Sequence, residues 1–345
     1  MTQPGDVGDP ASTAIAPVAV DRFAGGNSTL LGRIGPLAFC VFWLLLLSIP
    51  FVTRNDYIVS LGVSFLINLM LIASLNLLIG YCGQISLGHA GFFGLGAYTA
   101  GIVSAKFGIN PWAGLPASCI AAALVAVLIG IPVLRLKGHY LAMATLGFNA
   151  ILSVLFNQLV SLTGGPNGLL GVKPLGFGTY LLDTQARIFP LLWLCAGLVM
   201  LGLNNLIKSR VGRALRALAG SELAAESLGV NAFRYKLIVF ALTGSIAGLA
   251  GCLYIESNLY ASPDSFDFSV SILLLAMVAL GGWGRYFGAV LGALIYTAAP
   301  EILRTLQDAQ LLIFGAGMIL VLQFFPRGLA GIGDAAVRLW RPSRS

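Results

Sequence analysis

The chain has 345 residues, of which 58% are hydrophobic and only 10% charged, and its mean hydropathy is +0.90. A soluble globular domain carries about 25% charged residues, so this composition excludes one and requires a chain that lives in lipid. The net charge of +7 does not call for nucleic acid, because its distribution along the chain follows the two sides of a membrane.

Residues 1–33 are rich in Gly, Pro, Ala and Ser without hydrophobic period, and are expected to be a disordered cytoplasmic tail. A membrane helix needs about 20 apolar residues to cross a hydrocarbon core about 30 Å thick. Runs of that size place spans at 34–52, 57–79, 85–105, 112–134, 139–161, 188–207, 237–257, 268–283, 286–303 and 309–326. The first begins too far in for a cleaved signal peptide and reads as a retained span. A loop at 162–187 carries the turn-forming Gly164-Gly165-Pro166-Asn167-Gly168, a charged segment fills 208–236, and 327–345 is a basic tail. The expected fold is an all-α integral membrane protein of about ten transmembrane helices. With both termini on the cytoplasmic side, 15 Lys and Arg fall inside and five outside, leaving the inner face at +9 and the outer at −2. Cytoplasmic loops carry this bias, so the basic excess reports orientation.

Within the spans, glycines recur at four-residue spacing, as in Gly244-x-x-x-Gly248 and Gly284-x-x-x-Gly288-x-x-x-Gly292. Small residues at this spacing let helix backbones approach closely in lipid. A second reading is that the Gly-interrupted segments 83–101 and 281–292 line a central pathway, since broken spans often mark a transporter's route. Cys40, Cys119, Cys195 and Cys252 lie inside apolar runs and Cys82 ends one, so they read as small apolar residues.

Enzyme chemistry finds no support. His89 and His139 are fifty residues apart and form no H-E-x-x-H site, and there is no G-x-S-x-G elbow. Gly331-Ile332-Gly333-Asp334 resembles an intramembrane protease motif but has no Tyr-Asp partner. No lysine follows a glycine, so the chain has no phosphate loop, and ATP-driven work would need a separate ATPase. No span carries a charge near its centre; Glu256 and Glu301 sit close to outer ends. Ion-coupled carriers usually place ionisable groups mid-membrane, so an ion-coupled secondary transporter of a small neutral or zwitterionic solute is the weaker alternative.

Uncharged polar residues do form stripes. Thr145, Asn149, Ser153 and Asn157 recur every four residues in the fifth span, and Ser64, Asn68 and Asn76 follow similar spacing in the second. Residues four apart share a helix face, so each stripe faces other helices, as interhelical hydrogen bonds, or water, as a weakly polar pathway wall. Gln84, Ser86 and His89 gather at the start of the third span, near the cytoplasmic mouth.

The segment 208–236 holds six basic and two acidic side chains. Arg210, Arg213 and Arg216 are three apart and line one helix face suited to anionic headgroups. Ser221 to Gly229 reads as a helix of about two turns, with Ser221 as N-cap, Glu222 in the first turn and Gly229 beyond the C-cap. A helix this short needs a partner surface. Here the sequence resembles a known family. Arg213-Ala-Leu-Arg-Ala, Ser221-Glu-Leu-Ala-Ala-Glu-Ser-Leu-Gly-Val-Asn and Arg234-Tyr-Lys are similar to the cytoplasmic loop of branched-chain amino acid ABC-transporter permeases, most closely the LivM type. Ser74-Leu-Asn-Leu-Leu-Ile-Gly-Tyr-Cys-Gly-Gln-Ile-Ser-Leu-Gly-His-Ala-Gly-Phe-Phe-Gly-Leu-Gly-Ala-Tyr, Thr163-Gly-Gly-Pro-Asn-Gly-Leu and Leu280-Gly-Gly-Trp-Gly agree, and the likeness covers about residues 34 to 330.

The resemblance implies a type II ABC-importer-like permease in a bacterial inner membrane. It implies a second, LivH-type permease, two cytoplasmic ATPases that hold ATP and Mg, and a periplasmic or lipoprotein substrate-binding protein. No cofactor would reside in this chain. Leu, Ile and Val are the implied substrates; other neutral amino acids, urea and aromatic acids occur in related systems. The helix that docks in an ATPase groove would be carried by Glu222, Ala224, Ala225 and Gly229, with Leu223 and Leu228 as apolar anchors and carboxylates meeting basic groups on the ATPase. The family often has another acidic residue just before this glutamate, where Gly220-Ser221 stands here.

Overall fold

A computed structural model describes residues 31–302, apart from 54, 137, 178 and 179, together with the isolated positions 315, 319, 323, 328 and 329. Residues 1–30, and nearly all of the expected tenth span at 309–326 and of the 327–345 tail, lie outside the described residues.

The described chain is helical apart from one two-stranded ribbon. The elements are α1 (Leu31–Val52), α2 (Asp56–Asn76, continued by a π-helical turn, Leu77–Tyr81), α3 (His89–Ala105), α4 (Gly114–Val133, after a 3₁₀ turn, Pro111–Ala113), α5 (His139–Gln158) and the single turn α6 (Val160–Thr163). The antiparallel strands β1 (Gly176–Phe177) and β2 (Tyr180–Leu181) follow, then α7 (Gln185–Lys208), α8 (Arg210–Gly220), α9 (Glu222–Ser227) and α10 (Ala232–Asn258). A 3₁₀ turn (Pro263–Phe266) leads into α11 (Phe268–Gly281), and α12 is Tyr286–Ile302. Among the described residues six helical segments are long and apolar enough to cross a membrane: those of α2, α4, α5, α7, α10 and α11 with their flanking turns. α1, α3 and α12 are apolar as well and coincide with three further expected spans.

Local sequence explains the ends. The Asn55 side chain accepts from Tyr57 N–H at 3.1 Å and starts α2; Asn231 does the same for α10, accepting from Arg234 N–H at 3.0 Å. α2 and α10 are the most deeply buried of the membrane-length helices among the described residues, as their largely apolar middles require. α10 packs against both α3 and α4, which also touch each other, and α2 packs against α7 and α12. Glycine makes these approaches possible: a Cβ on Gly96 would overlap the backbone of Gly248, and one on Gly251 the carbonyl of Phe93. Gly244 and Gly248 serve helix packing, since Gly244 presses on Ala122 and Ala126 of α4 and Gly248 on Ser118 and Ala122. The outer stripe of α4, including Ile120, Leu124 and Leu128, is exposed, as a lipid-facing helix surface must be.

Two boundaries depart from expectation. α1 begins at Leu31, so the tail does not reach residue 33. The third span does not begin at 85: residues 83–88 are non-helical and α3 starts at His89. Gly83 takes a left-handed φ of +69°, which ends the π turn, and Gly88 is packed tightly under Thr145 and Phe148. The charged segment 208–236 holds the expected helix as α9, together with the end of α7, the short helix α8 and the first turn of α10.

Candidate functional site

The two short helices form one unit. In α8, Arg210, Arg213 and Arg216 are exposed while Gly212, Leu215 and Leu218 are buried, which makes the helix strongly two-faced. α9 follows after a single residue, Ser221, whose Oγ accepts from Ala224 N–H at 3.3 Å. Its far end is closed by Gly229, at φ +82°: the N–H groups of Gly229 and Val230 donate to the carbonyls of Glu226 (2.9 Å) and Ala225 (3.1 Å). That pair of bonds is the Schellman closure, and it needs a residue at ease with positive φ.

The faces of α9 differ from the expected arrangement. Glu222 does not point outward but pairs with Lys236 Nζ at 2.8 Å, and Lys236, expected in a solvated basic belt, is 5% exposed. Ala225 is also turned inward, buried with Leu218 of α8 and Ala232 of α10. The cause is geometric: α9 lies across the start of α10, so its inner side must match a buried ammonium and a small apolar patch. Leu223 (79% exposed), Leu228 (84%), Ala224, Glu226, Ser227 and Gly229 remain on the outer side. The unit also touches the non-helical stretch before α3, where Gly83 lies against Ala219. Burial pushes the neighbouring Cys82 thiol up to about 12, with Lys236 lowering it and Glu222 raising it by less, so it stays a thiol.

The polar candidates in the spans separate into groups. Asn76, His89, Thr145 and Asn149 gather around the break between α2 and α3. Asn76 is a clamp: its Nδ2 donates to the carbonyl of Arg285 (2.8 Å) and its Oδ1 accepts from Gly284 N–H (2.9 Å), fixing the turn between α11 and α12. His89 Nε2 is 2.8 Å from Ser74 Oγ. Thr145 Oγ1 accepts from Leu87 N–H at 2.9 Å and donates to the carbonyl of Ala142. Gln84 and Ser86 are buried in the non-helical stretch. Asn68 stands apart, donating to Thr297 Oγ1 of α12 at 3.2 Å. Asn157 bonds the carbonyl of Ser153 in its own helix, both half-buried, and Ser64 is exposed. Interhelical bonding thus accounts for Asn68, Asn76, His89 and Thr145. It does not account for Asn149, which is fully buried with neither amide atom partnered among the described residues.

At the other end of the fold, the 164–171 stretch is tied down. Leu169 N–H donates to the carbonyl of Ala261 at 2.8 Å, and Trp112 Nε1 donates to the carbonyl of Gly176 at 2.8 Å. The unpatterned 162–187 loop gave no sign of these ties, which join residues far apart in sequence. Ser271 Oγ accepting from Ala90 N–H, and the burial of Glu256 to 1% near the end of α10, were equally unforeseen. The backbone N–H of Leu175 approaches the Glu256 carboxylate without closing a hydrogen bond of good geometry.

Comparison with known proteins gives this geometry a context. A family model described as "Branched-chain amino acid transport system / permease component" matches residues 57–322. The high-affinity branched-chain amino acid transport system permease protein LivM of Escherichia coli K12 is 34% identical over 294 residues, covering 79% of this chain and 69% of that protein. LivH of Salmonella typhimurium, the permease of the same title, is 26% identical over 273 residues, 73% of this chain and 87% of that one. The ribose import permease RbsC of Escherichia coli is 35% identical over 92 residues only, 25% of this chain and 29% of its own. No solved structure matches.

Proposed function

The chain belongs to the branched-chain amino acid transport permease family, and from that premise we propose that it is the LivM-type permease subunit of an ATP-driven importer. It forms the translocation pathway with a LivH-type permease, receives substrate from a binding protein outside a bacterial inner membrane, and is driven by two cytoplasmic ATPases that hold ATP and Mg. The substrates are branched-chain or related neutral amino acids, and both termini lie in the cytoplasm.

The observation that carries this reading is the outer side of α9. Leu223 and Leu228 are among the most exposed large apolar side chains of the described residues, on a helix capped at both ends and seated on α10. α9 follows directly on α8, whose Arg210, Arg213 and Arg216 are exposed, which supports a place for it at the membrane's polar margin. Burying them in a partner's groove is worth about 1.5–3 kcal/mol each. Glu226 is the carboxylate left to meet basic groups on that partner, because Glu222 is occupied by Lys236.

ATP closes the ATPase dimer, α9 moves with the groove that holds it, and α10 moves with α9. The test is Leu228→Arg in membranes containing all subunits. We expect the ATPases to be lost on purification while the two permeases stay together. Co-isolation and binding-protein-stimulated ATP hydrolysis at wild-type levels would show that α9 is not the docking element.

A further inference from the structure

We propose that the seam between α3 and α5 is the slot that substrate enters, closed in this conformation, and that Asn149 binds the charged head of a zwitterionic amino acid there. The proposal rests on the permease reading and adds the site. Gly88, at the N-cap of α3, and Gly91 and Gly94 within it face α5, each pressed close by Thr145, Asn149 or Phe156. A glycine stripe alone is ordinary packing. What sets this one apart is the amide aimed at it: Asn149 is fully buried, its Oδ1 lies where a Cβ on Gly91 would come within 2.8 Å, and neither Oδ1 nor Nδ2 has a partner among the described residues.

Folded proteins keep few such orphans, because a buried polar group without a partner loses its hydration for nothing. Among the described residues four side chains have unpartnered buried polar atoms, and three of them follow this seam. Gln84 lies in the stretch whose Leu87 N–H bonds to Thr145 of α5. Asn149 is in the middle, and Tyr98 of α3 stacks on Phe156 of α5 with ring centres 4.5 Å apart. The orphans are explained if the helices part during transport and substrate supplies the missing bonds.

The chemistry fits a zwitterion. An amide offers a donor to a carboxylate and an acceptor to an ammonium without charge of its own. Neither α3 nor α5 contains Asp, Glu, Lys or Arg, so a net ion finds no counter-charge in either helix. Phe148, Leu152 and Phe156 surround the glycine stripe and suit an apolar side chain.

The test uses the full complex with its binding protein and radiolabelled leucine. Asn149→Leu removes both polar amide atoms and keeps the number of side-chain heavy atoms. Leucine uptake should fall about 10–100-fold, the range set by losing a hydrogen bond to a charged group, while the melting temperature holds or rises. Normal uptake overturns the proposal, as does a fall in melting temperature with uptake per folded complex unchanged. A second variant decides the case where both fall. Asn149→Cys, in an import-competent background lacking the five native cysteines, should react with a membrane-impermeant thiol reagent only during ATP turnover, and leucine should protect it. No reaction in any state overturns the proposal. A wild-type complex that imports no leucine would instead overturn the substrate reading beneath it.

Discussion

A single residue clamps α2 to the turn between α11 and α12. Asn76 uses both halves of its amide on the turn between α11 and α12, at 2.8 and 2.9 Å, across more than 200 residues of chain. Gly80, one turn on, lets that turn approach, because any side chain there would strike Gly284. Losing a buried side-chain hydrogen bond costs about 1 kcal/mol, and about 1–3 kcal/mol where a group is left stranded. Asn76→Ala is therefore expected to destabilise the complex by about 2–3 kcal/mol, seen as a lower thermal midpoint in detergent, with assembly of the subunits intact. An unchanged midpoint would mean that the clamp is idle. The polar stripe through Ser64, Asn68 and Asn76 was legible in the sequence, but its meaning was not. Spacing puts residues on one face; which polar groups find partners depends on contacts between distant elements, and these give Asn68, Asn76, His89 and Thr145 structural bonds.

At the scale of elements, α9 shows the same division. Its start, its length and its glycine stop were all readable, because capping is local: Ser221, Glu222 and Gly229 act within a few residues of themselves. Its facing was not readable, because that depends on where α10 passes. Lys236 is the more buried partner of the ion pair, 7% exposed at the side chain against 32% for Glu222. The two single deletions should therefore be unequal. Glu222→Ala strands a buried ammonium and is expected to cost about 1–3 kcal/mol, whereas Lys236→Met leaves a carboxylate that water reaches and costs less. The double variant should lie close to Lys236→Met, since the stranded charge is gone. Thermal unfolding of the three variants checks the order; equal losses that simply add would show that the pair does not fasten α9 to α10.

For the whole molecule, composition and hydropathy carried the reading a long way. Nine of the ten expected spans coincide with helices among the described residues, and the tenth lies outside them. Apolar run length is dictated by bilayer thickness, which is why it reads so directly. The order in which helices pack is not dictated that way: nothing in the run lengths shows that α10 packs on both α3 and α4, or that α2 packs on α7 and α12. The break before α3 was hidden for a related reason, since residues 83–88 contain no charge to interrupt the apolar run. The exposed leucines of α9 support the proposal that a separate chain supplies the motor. The most direct measurement is leucine uptake into liposomes, comparing this chain alone with the complex of both permeases, the ATPases and the binding protein. The account predicts uptake only by the complex, dependent on ATP inside and binding protein outside. Uptake by this chain alone, driven by a proton or sodium gradient, would contradict it.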